Sequence, residues 1–218
     1  WIKTPRGYAA QAEFTVAIEP RRGGRGYGGT WQREMLVATY PASRSPNATV
    51  IERDTLRLPA GKFKLRVGFH DLQADERSEA AESIEIGDWS SVPVGFSDLE
   101  LGTADSSARF EFQPGRVFGR DVRRLAGRVS VFDRRAGGWP RRYPIALRIR
   151  DEANSVLFEE QQSIVAASTG EPLLVRPGRT DLFIGNYSLE VELVEGKSRL
   201  KIARSFEVED SGAPAGAE

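Results

Sequence analysis

One twelve-residue pattern occurs twice in the chain. Residues 58–69 read LPAGKFKLRVGF and residues 182–193 read LFIGNYSLEVEL. When Gly61 is aligned with Gly185, large apolar side chains occupy the same alternate positions after both glycines. Alternation with period two is typical of a β-strand with one buried face. The offset of 124 residues is too long for a solenoid repeat, so the pattern predicts two similar domains in tandem.

The sequence around the two copies is also similar. The alternating segments AEFTVAIEP (12–20) and LAGRVSVFD (125–133) precede them, and each runs into arginine and glycine. The alternating segments SIEI (83–86) and SFEV (205–208) follow them. Short strands with frequent turn residues and almost no helical periodicity are typical of β-sandwiches. We therefore predict an all-β chain with two tandem immunoglobulin-like antiparallel β-sandwich domains.

Domain boundaries follow from the turn residues and from the apolar alternation. Residues 1–9 are predicted to form an extended N-terminal arm, 10–98 the first sandwich, ending in a connector at 87–107, and 108–209 the second sandwich. Residues 210–218 lack large apolar side chains, which predicts a disordered tail. The acidic segment 74–83 has only alanines as apolar residues and is interpreted as a solvated turn between strands.

The residue types present give little support to an enzyme. The chain has no cysteine, which excludes disulfides and thiolate metal sites, and no serine lies in G-x-S-x-G. The one histidine, His70, precedes Asp71, but neighbours on a strand point to opposite faces and do not form a dyad. No catalytic or cofactor-binding set is predicted. No apolar run is long enough to span a membrane.

A cluster of carboxylates raises the question of a metal. Asp71, Asp75, Glu76 and Glu79 could hold calcium, but they lack the residue order of an EF-hand loop. A solvated acidic turn is the favoured interpretation, and no metal site is predicted.

The glycine-rich run EPRRGGRGYGGTW (19–31) lies between two predicted strands. A phosphate-binding glycine motif needs a helix after the glycines, whereas the alternating segment TWQREMLVATY follows here. The run is therefore predicted to be a hairpin loop. Binding of RNA is the alternative, because its arginines and Tyr27 could contact phosphate and stack on bases.

A second loop carries the residue types enriched at protein interfaces. Trp139 lies at a predicted hairpin tip in RRAGGWPRRY, between two arginine pairs, and such aromatic and arginine side chains are typical of binding hot spots. In the alternative interpretation the Trp139 ring folds back onto its own sheet under an arginine. The predicted partner interface consists of Trp1, Arg21, Arg22, Tyr27, Trp139, Arg141, Arg142 and Tyr143.

Charge is unevenly distributed, although 31 basic and 31 acidic residues give a net charge of zero. Residues 116–150 contain eleven arginines against two aspartates, a local balance of +9. This arginine-rich region leaves binding of a polyanion, either nucleic acid or anionic lipid, as an alternative function. A carbohydrate-binding module, with Trp139 and Tyr27 as its platform, is another.

Two motifs resemble a known family. The segment FSDLELG carries the first, and FEFQPGRVF carries the second. The matching residues are Phe96, Ser97, Asp98, Leu99 and Leu101, then Phe112, Pro114, Arg116 and Phe118. With the LPAGKFKLRV strand, they resemble the immunoglobulin-like modules of bacterial GWxTD-domain envelope proteins. The Gly-Trp-x-Thr-Asp signature itself is absent, so no ligand-binding or catalytic residue is carried over.

The resemblance implies an exported protein, periplasmic or otherwise extracytoplasmic, whose work is contact with other envelope components. We accordingly expect a non-enzymatic structural or accessory subunit that docks on a larger protein complex. Such a subunit would be membrane-associated through its partners, for example on a photosynthetic assembly. Other protein subunits are the expected partners, with nucleic acid an unlikely one.

Overall fold

The computed structural model describes residues 1–44, 52, 55–88, 92–135, 137–178, 180–195 and 198–210. The chain is all-β, as predicted, and divides into two compact units, Trp1–Ser90 and Ser91–Glu218. The division falls inside the predicted connector at 87–107. Within the described ranges no helix has the length and apolarity needed to cross a bilayer. Residues 211–218 of the predicted tail lie outside the described part.

The first unit contains one antiparallel sheet. Its strands are β1 (Ile2–Thr4), β2 (Gly7–Pro20), β3 (Tyr27–Val37), β4 (Gly61–Asp71) and β5 (Glu76–Ile86). Strand β2 pairs with β3, with β4 and, at its first residues, with β1, while β5 pairs with β4. A short helix, α1 (Tyr40–Ser43), follows β3, and the side chain of Thr39 caps its N-terminus.

Two predictions for this unit are wrong. Residues 1–9 form a hairpin, in which Ile2 pairs with Ala9, and not an extended arm. The acidic segment 74–83 lies mostly in β5, whose residues pair with β4 along its whole length. The sequence marks only the end of this strand, the alternating SIEI (83–86), because nearly all of its earlier side chains are exposed.

Apolar side chains collect on one face of this sheet. Phe14 packs edge-on against Phe69, with ring centroids 5.5 Å apart, and stacks on Trp31 at 6.1 Å. Val67 and Phe69 remain 41% and 37% exposed. Since the described strands of this unit make a single sheet, the facing sheet that a sandwich needs stays a prediction for residues 10–98.

The second unit contains two sheets. The first comprises β6 (Val94–Phe96), β7 (Glu100–Ala104), β8 (Phe110–Phe112), β10 (Leu125–Asp133) and β13 (Pro172–Val175). The second comprises β9 (Val117–Phe118), β11 (Arg141–Asp151), β12 (Val156–Ala166), β14 (Gly185–Glu195) and β15 (Ser198–Val208). Their orders are β13-β10-β7-β8, with β6 also on β10, and β12-β11-β14-β15-β9. A 3₁₀ helix (Arg120–Arg124) leads into β10.

The core of the second unit lies between its two sheets. Alternate residues of β11 and β14, among them Leu147, Ile149, Leu189 and Val191, are fully buried and join side chains of the other sheet in one cluster. The burial of alternate residues explains the apolar alternation in the sequence. The second unit therefore has a β-sandwich-like architecture.

The repeated glycine has the same role in both units. Gly61 begins β4 with φ of 150°, and Gly185 begins β14 with φ of 153°. Side chains with a Cβ rarely adopt this backbone conformation, so glycine is favoured at both positions. Both copies of the sequence pattern therefore begin a strand of eleven residues at this glycine.

Strands β7 and β8 approach too closely at Gly102 for any side chain. A Cβ atom there would lie 2.1 Å from the carbonyl oxygen of Glu111. We expect Gly102→Ala to lower the free energy of unfolding by about 1 kcal/mol, because the three-residue strand β8 must shift. Urea titration would measure the change. Gly115→Ala is the control, since its Cβ would meet nothing within 4 Å. Equal midpoints for both variants would contradict the expectation.

Candidate interaction surfaces

The glycine- and arginine-rich run is a hairpin loop, as predicted. Residues 21–26 join β2 to β3, and Gly23 and Gly24 have positive φ. The backbone N–H of Arg21 donates to the Lys62 carbonyl at 2.9 Å, and its guanidinium donates to Ser83 Oγ at 2.7 Å. A strand and not a helix follows the glycines, so the loop offers no helix N-terminus to a phosphate.

The predicted interface is divided between the two units. Arg22 is exposed in the first hairpin loop, Tyr27 is half-buried opposite Ile18, and Trp1 is 42% exposed beside β1. The Trp139 hairpin belongs to the second unit. The predicted interface residues therefore do not belong to one compact unit.

The Trp139 hairpin is built around a buried carboxylate. Asp133 ends β10, and its side chain is fully buried. It accepts hydrogen bonds from Arg135 Nε at 2.9 Å, from Arg141 Nη1 at 2.7 Å and from the Tyr143 hydroxyl at 2.8 Å. We refer to these four residues as the Asp133 cluster. The cluster ties the end of β10 to the start of β11.

This arrangement corrects the predicted role of the hairpin residues. The Trp139 ring packs against the core, and the Arg141 guanidinium lies 5.4 Å from its centroid, as in the alternative interpretation. Tyr143 faces inward on β11, is 2% exposed and uses its hydroxyl on Asp133, so it cannot contact a partner. Arg142, which faces outward, is exposed.

The protonation states of the cluster follow from its contacts. Hydrogen bonds from the Arg135 guanidinium hold the pKa of Asp133 well below its usual range, and those from Arg141 and Tyr143 lower it further against the opposing effect of burial. Burial raises the pKa of Tyr143 to about 12, and its hydrogen bond to Asp133 adds to this shift. At neutral pH the cluster therefore contains a carboxylate and a neutral phenol.

The arginine-rich region carries less free positive charge than its sequence suggests. Of its eleven arginines, at least six form ion pairs with carboxylates, namely Arg123, Arg128, Arg135, Arg141, Arg148 and Arg150. The partners Glu100, Glu159 and Glu190 lie outside residues 116–150. The local balance of +9 therefore does not describe the surface of the folded unit.

Charged side chains from three strands meet on the outer face of the second sheet. Glu190 on β14 accepts from Arg148 at 2.9 Å, from Arg150 at 3.1 Å and from Lys201 at 2.6 Å. Glu192 accepts from Arg148 at 2.5 Å. We call these five residues the charged ladder. Glu190 is only 2% exposed because the longer side chains cover it.

The cations of the charged ladder keep both glutamates ionised. Burial acts to raise the pKa of Glu190, but hydrogen bonds from Lys201, Arg148 and Arg150 outweigh it and hold the pKa below its ordinary value. The pKa of Glu192 is lowered chiefly by Arg148. The two glutamates therefore neutralise most of the positive charge of the ladder.

The carboxylates considered for calcium make local contacts instead. Asp71 accepts N–H bonds from Gln73 at 2.9 Å and Ala74 at 3.0 Å, and Asp75 pairs with His70 Nε2 at 2.7 Å. In the part of the chain that the structure describes, no three such side chains gather as metal ligands. The calcium alternative therefore gains no support from this geometry.

A groove of about 630 Å³ lies at one end of the second unit. We call it the end groove, and its lining residues are Gly119, Val122, Arg123, Thr180, Asp181, Leu182, Phe183, Ile184, Val208, Glu209 and Asp210. Phe183 is 87% exposed and Ile184 is 68% exposed. Leu182, by contrast, packs against the core.

The end groove was not predicted, although the repeat contains a signal for it. In the aligned copies, Phe183 and Ile184 occupy the positions of Pro59 and Ala60. Large apolar side chains thus stand in the second unit where the first has small ones, immediately before the shared glycine. The apolar alternation after Gly185 does not by itself reveal this difference, because it begins only after these two residues.

The end groove lies away from the point where the chain enters the unit. Val94 of β6, near the start of the second unit, pairs with Asp133, the last residue of β10. The 3₁₀ helix that lines the groove lies at the opposite end of β10, directly before its first residue. The described residues end at Asp210, which lines the groove.

Comparisons with known proteins add only a distant structural likeness. No family model matches the chain, and no curated protein matches it. Among solved structures, the crystal structure of dimeric latent PorU from Porphyromonas gingivalis is similar to it, with a TM-score of 0.37 and 13% sequence identity. The match covers 91% of this chain and 16% of that chain.

Proposed function

We propose that the protein is a non-enzymatic interaction module, an extrinsic structural or accessory subunit that docks on a larger protein assembly through the end groove. The exposure of Phe183 and Ile184 beside this groove carries the proposal. Burying a large apolar side chain contributes about 1.5–3 kcal/mol, and contiguous apolar surface on a folded unit marks binding sites.

The proposed class is that of tandem immunoglobulin-like sandwiches. In the second unit, β7, β10 and β13 correspond to strands A, B and E of that fold, and β12, β11, β14 and β15 to C′, C, F and G. In the first unit the apolar face needs a cover. Glu52, which lies between β3 and β4 in the sequence, accepts hydrogen bonds from Trp31 and Arg33 on that face.

The proposed location is the periplasm or another extracytoplasmic space, with membrane association through partners. It rests on the resemblance of FSDLELG and FEFQPGRVF to modules of bacterial envelope proteins. A membrane complex, for example a photosynthetic one, is the kind of assembly that this location favours.

The alternative functions gain less support. Binding of a polyanion needs free arginines, but at least six of the eleven in residues 116–150 form ion pairs. A carbohydrate platform of Trp139 and Tyr27 would join residues of different units, and the Trp139 ring already lies under Arg141.

Removing the apolar wall of the end groove tests the proposal. We expect Phe183→Ser with Ile184→Ser to reduce cross-linked partner proteins at least tenfold in the source cells, measured by quantitative mass spectrometry. Leu157→Ser with Val165→Ser is the matched control, because these apolar side chains on β12 are 52% and 50% exposed. Both double variants should have the same melting temperature as the native protein. Equal partner recovery from the two would remove the end groove as the docking site.

A further inference from the structure

We propose that the outer edge of β12 pairs with the same strand of a second copy of this chain, antiparallel and centred on Gln161. The pairing joins the five-stranded second sheets of two copies into one continuous sheet. The residues that line the end groove do not include any residue of β12, so this self-pairing does not depend on docking at the groove.

Strand β12 is a long edge strand. It pairs with β11 on one side, and among the described residues no strand pairs with its other side. Natural edges are commonly blocked by proline, lysine, bulges or shortness, because their backbone N–H and C=O groups otherwise accept a further strand. Residues 156–166 contain no proline, lysine or arginine, and the register shift against β11 affects only Val156 and Leu157. The edge from Phe158 to Ala166 is therefore a regular template for another strand.

The segment after β13 holds this edge strand in place. Gln162 Nε2 donates to the Arg176 carbonyl at 2.6 Å, and Glu160 accepts from the backbone N–H of Gly178 at 2.8 Å. Both side chains lie on the inner side of β12, where they are partly buried. The strand is thus ordered before a partner arrives, which reduces the entropic cost of binding.

A register centred on Gln161 makes the strand complementary to itself. A two-fold axis perpendicular to the sheet sets Gln161 opposite its own copy, and facing residues then lie on the same face. The other facing pairs are Leu157 with Val165, Phe158 with Ile164, Glu159 with Ser163 and Glu160 with Gln162. Apolar side chains therefore meet apolar side chains, and polar ones meet polar ones.

The charges on β12 select this register over its neighbours. Like charges directly opposite each other destabilise a strand pair, and here each glutamate faces a neutral serine or glutamine. Centring the pair on Glu160 would set two carboxylates opposite each other. Centring it on Gln162 would set Glu160 opposite Ile164.

The exposed apolar side chains of β12 favour the same pairing. Leu157 is 52% exposed and Val165 is 50% exposed, and the proposed register brings them together at both ends of the strand pair. The other long edge strand, β5, differs in this respect. It contains four glutamates and one arginine, so its charge opposes pairing with its own copy.

Single cysteines test the register, because the chain contains none. Facing residues of an antiparallel pair have Cα atoms about 4.5–5.5 Å apart, which a disulfide can bridge. We expect Gln161→Cys to form a disulfide-linked dimer on oxidation, seen by non-reducing electrophoresis. Ser163→Cys alone should stay monomeric, whereas a mixture of Ser163→Cys and Glu159→Cys should cross-link. Ala81→Cys, at an exposed position in the middle of β5, is the matched control and should stay monomeric.

Analytical ultracentrifugation tests the pairing without cysteines. One strand pair buries less than the roughly 1,200–2,000 Å² of a stable interface, so the native chain should dimerise at about 100 µM and be monomeric at about 1 µM. Gln161→Lys sets two lysines opposite each other and should raise the dissociation constant at least tenfold. Ala81→Lys on β5 should leave it unchanged.

Three results would overturn the self-pairing. They are a native chain that stays monomeric at about 100 µM, Ser163→Cys that cross-links as readily as Gln161→Cys, and a Gln161→Cys disulfide to a different protein without the homodimer. Leu157→Ser with Val165→Ser should also weaken the dimer at least tenfold, yet keep its melting temperature at about 1 µM and the other proteins cross-linked at the end groove. Failure of the dimer therefore leaves the docking proposal to its own test.

Discussion

Replacing Asp133 with alanine is expected to lower the free energy of unfolding of the second unit by about 3 kcal/mol. The substitution removes the fully buried carboxylate that Arg135, Arg141 and Tyr143 share. It leaves the phenol of Tyr143 buried without its acceptor and the Arg141 guanidinium without its counter-charge. The Trp139 ring, which packs under Arg141, should lose its fixed position as well.

Urea and thermal unfolding would measure this loss, with tryptophan fluorescence as a probe of the hairpin. Arg142→Ala is the matched control, because Arg142 lies between two residues of the cluster but is exposed. Its effect should stay within about 0.5 kcal/mol. An Asp133→Ala variant as stable as the Arg142→Ala variant would show that the cluster does not hold the hairpin.

The Asp133 cluster also gives the stability a defined pH dependence. The pKa of Asp133 is lower in the folded state than the ordinary value of about 4, so its contribution is complete at neutral pH and is lost as the pH falls below that value. The pKa of Tyr143 is raised to about 12, so its contribution is complete below about pH 10 and is lost as the pH rises towards 12. The Asp133→Ala variant should therefore show a shallower loss of stability in acid than the native chain.

The second large effect is expected at Glu190, whose replacement by alanine should cost about 2 kcal/mol of unfolding free energy. Three cations, Arg148, Arg150 and Lys201, share this nearly buried carboxylate. Removing one member of a buried ion pair leaves the others desolvated and repelling one another. We place the expected loss below that at Asp133, because Lys201 is 55% exposed and can turn towards water.

Lys201→Ala provides the control for the charged ladder. Its loss should change the unfolding free energy by about 0.5 kcal/mol or less, because the two arginines still neutralise Glu190. Lowering the pH should reduce the stabilising contribution of the charged ladder, as it does that of Asp133. The pKa values of Glu190 and Glu192 are lowered in the folded state, so their contributions disappear as the pH falls below about 4. Equal stability of the Glu190→Ala and Lys201→Ala variants would contradict a shared-carboxylate role.

The strands that bury one face could be predicted from the sequence. The repeated alternation marks β4 and β14, and the glycine before each has the same backbone conformation in both. The hairpin loop at 21–26 could also be predicted, because alternating segments flank its glycines. These features are local, since strand periodicity and turn conformation depend on neighbouring residues only.

Strand β5 and the end groove could not be predicted in the same way. Most side chains of β5 are exposed, so no side-chain pattern marks it before SIEI (83–86), and its pairing with β4 depends mainly on backbone groups. The groove combines residues of the 3₁₀ helix, of the segment before β14 and of the chain after β15. Residues so far apart in sequence become neighbours only when both sheets have formed.

The sequence by itself determined which side chains face inward and where the chain turns. Only the tertiary structure decided which charges neutralise one another and which apolar side chains stay exposed. Arg148 meets Glu190 and Glu192, more than 40 positions away, because β11 and β14 pair in one register. Tyr143, predicted to meet a partner, instead meets Asp133 across the hairpin. The partner of a charged or aromatic group depends on the register between distant strands, and that register is fixed by the packing of the whole core.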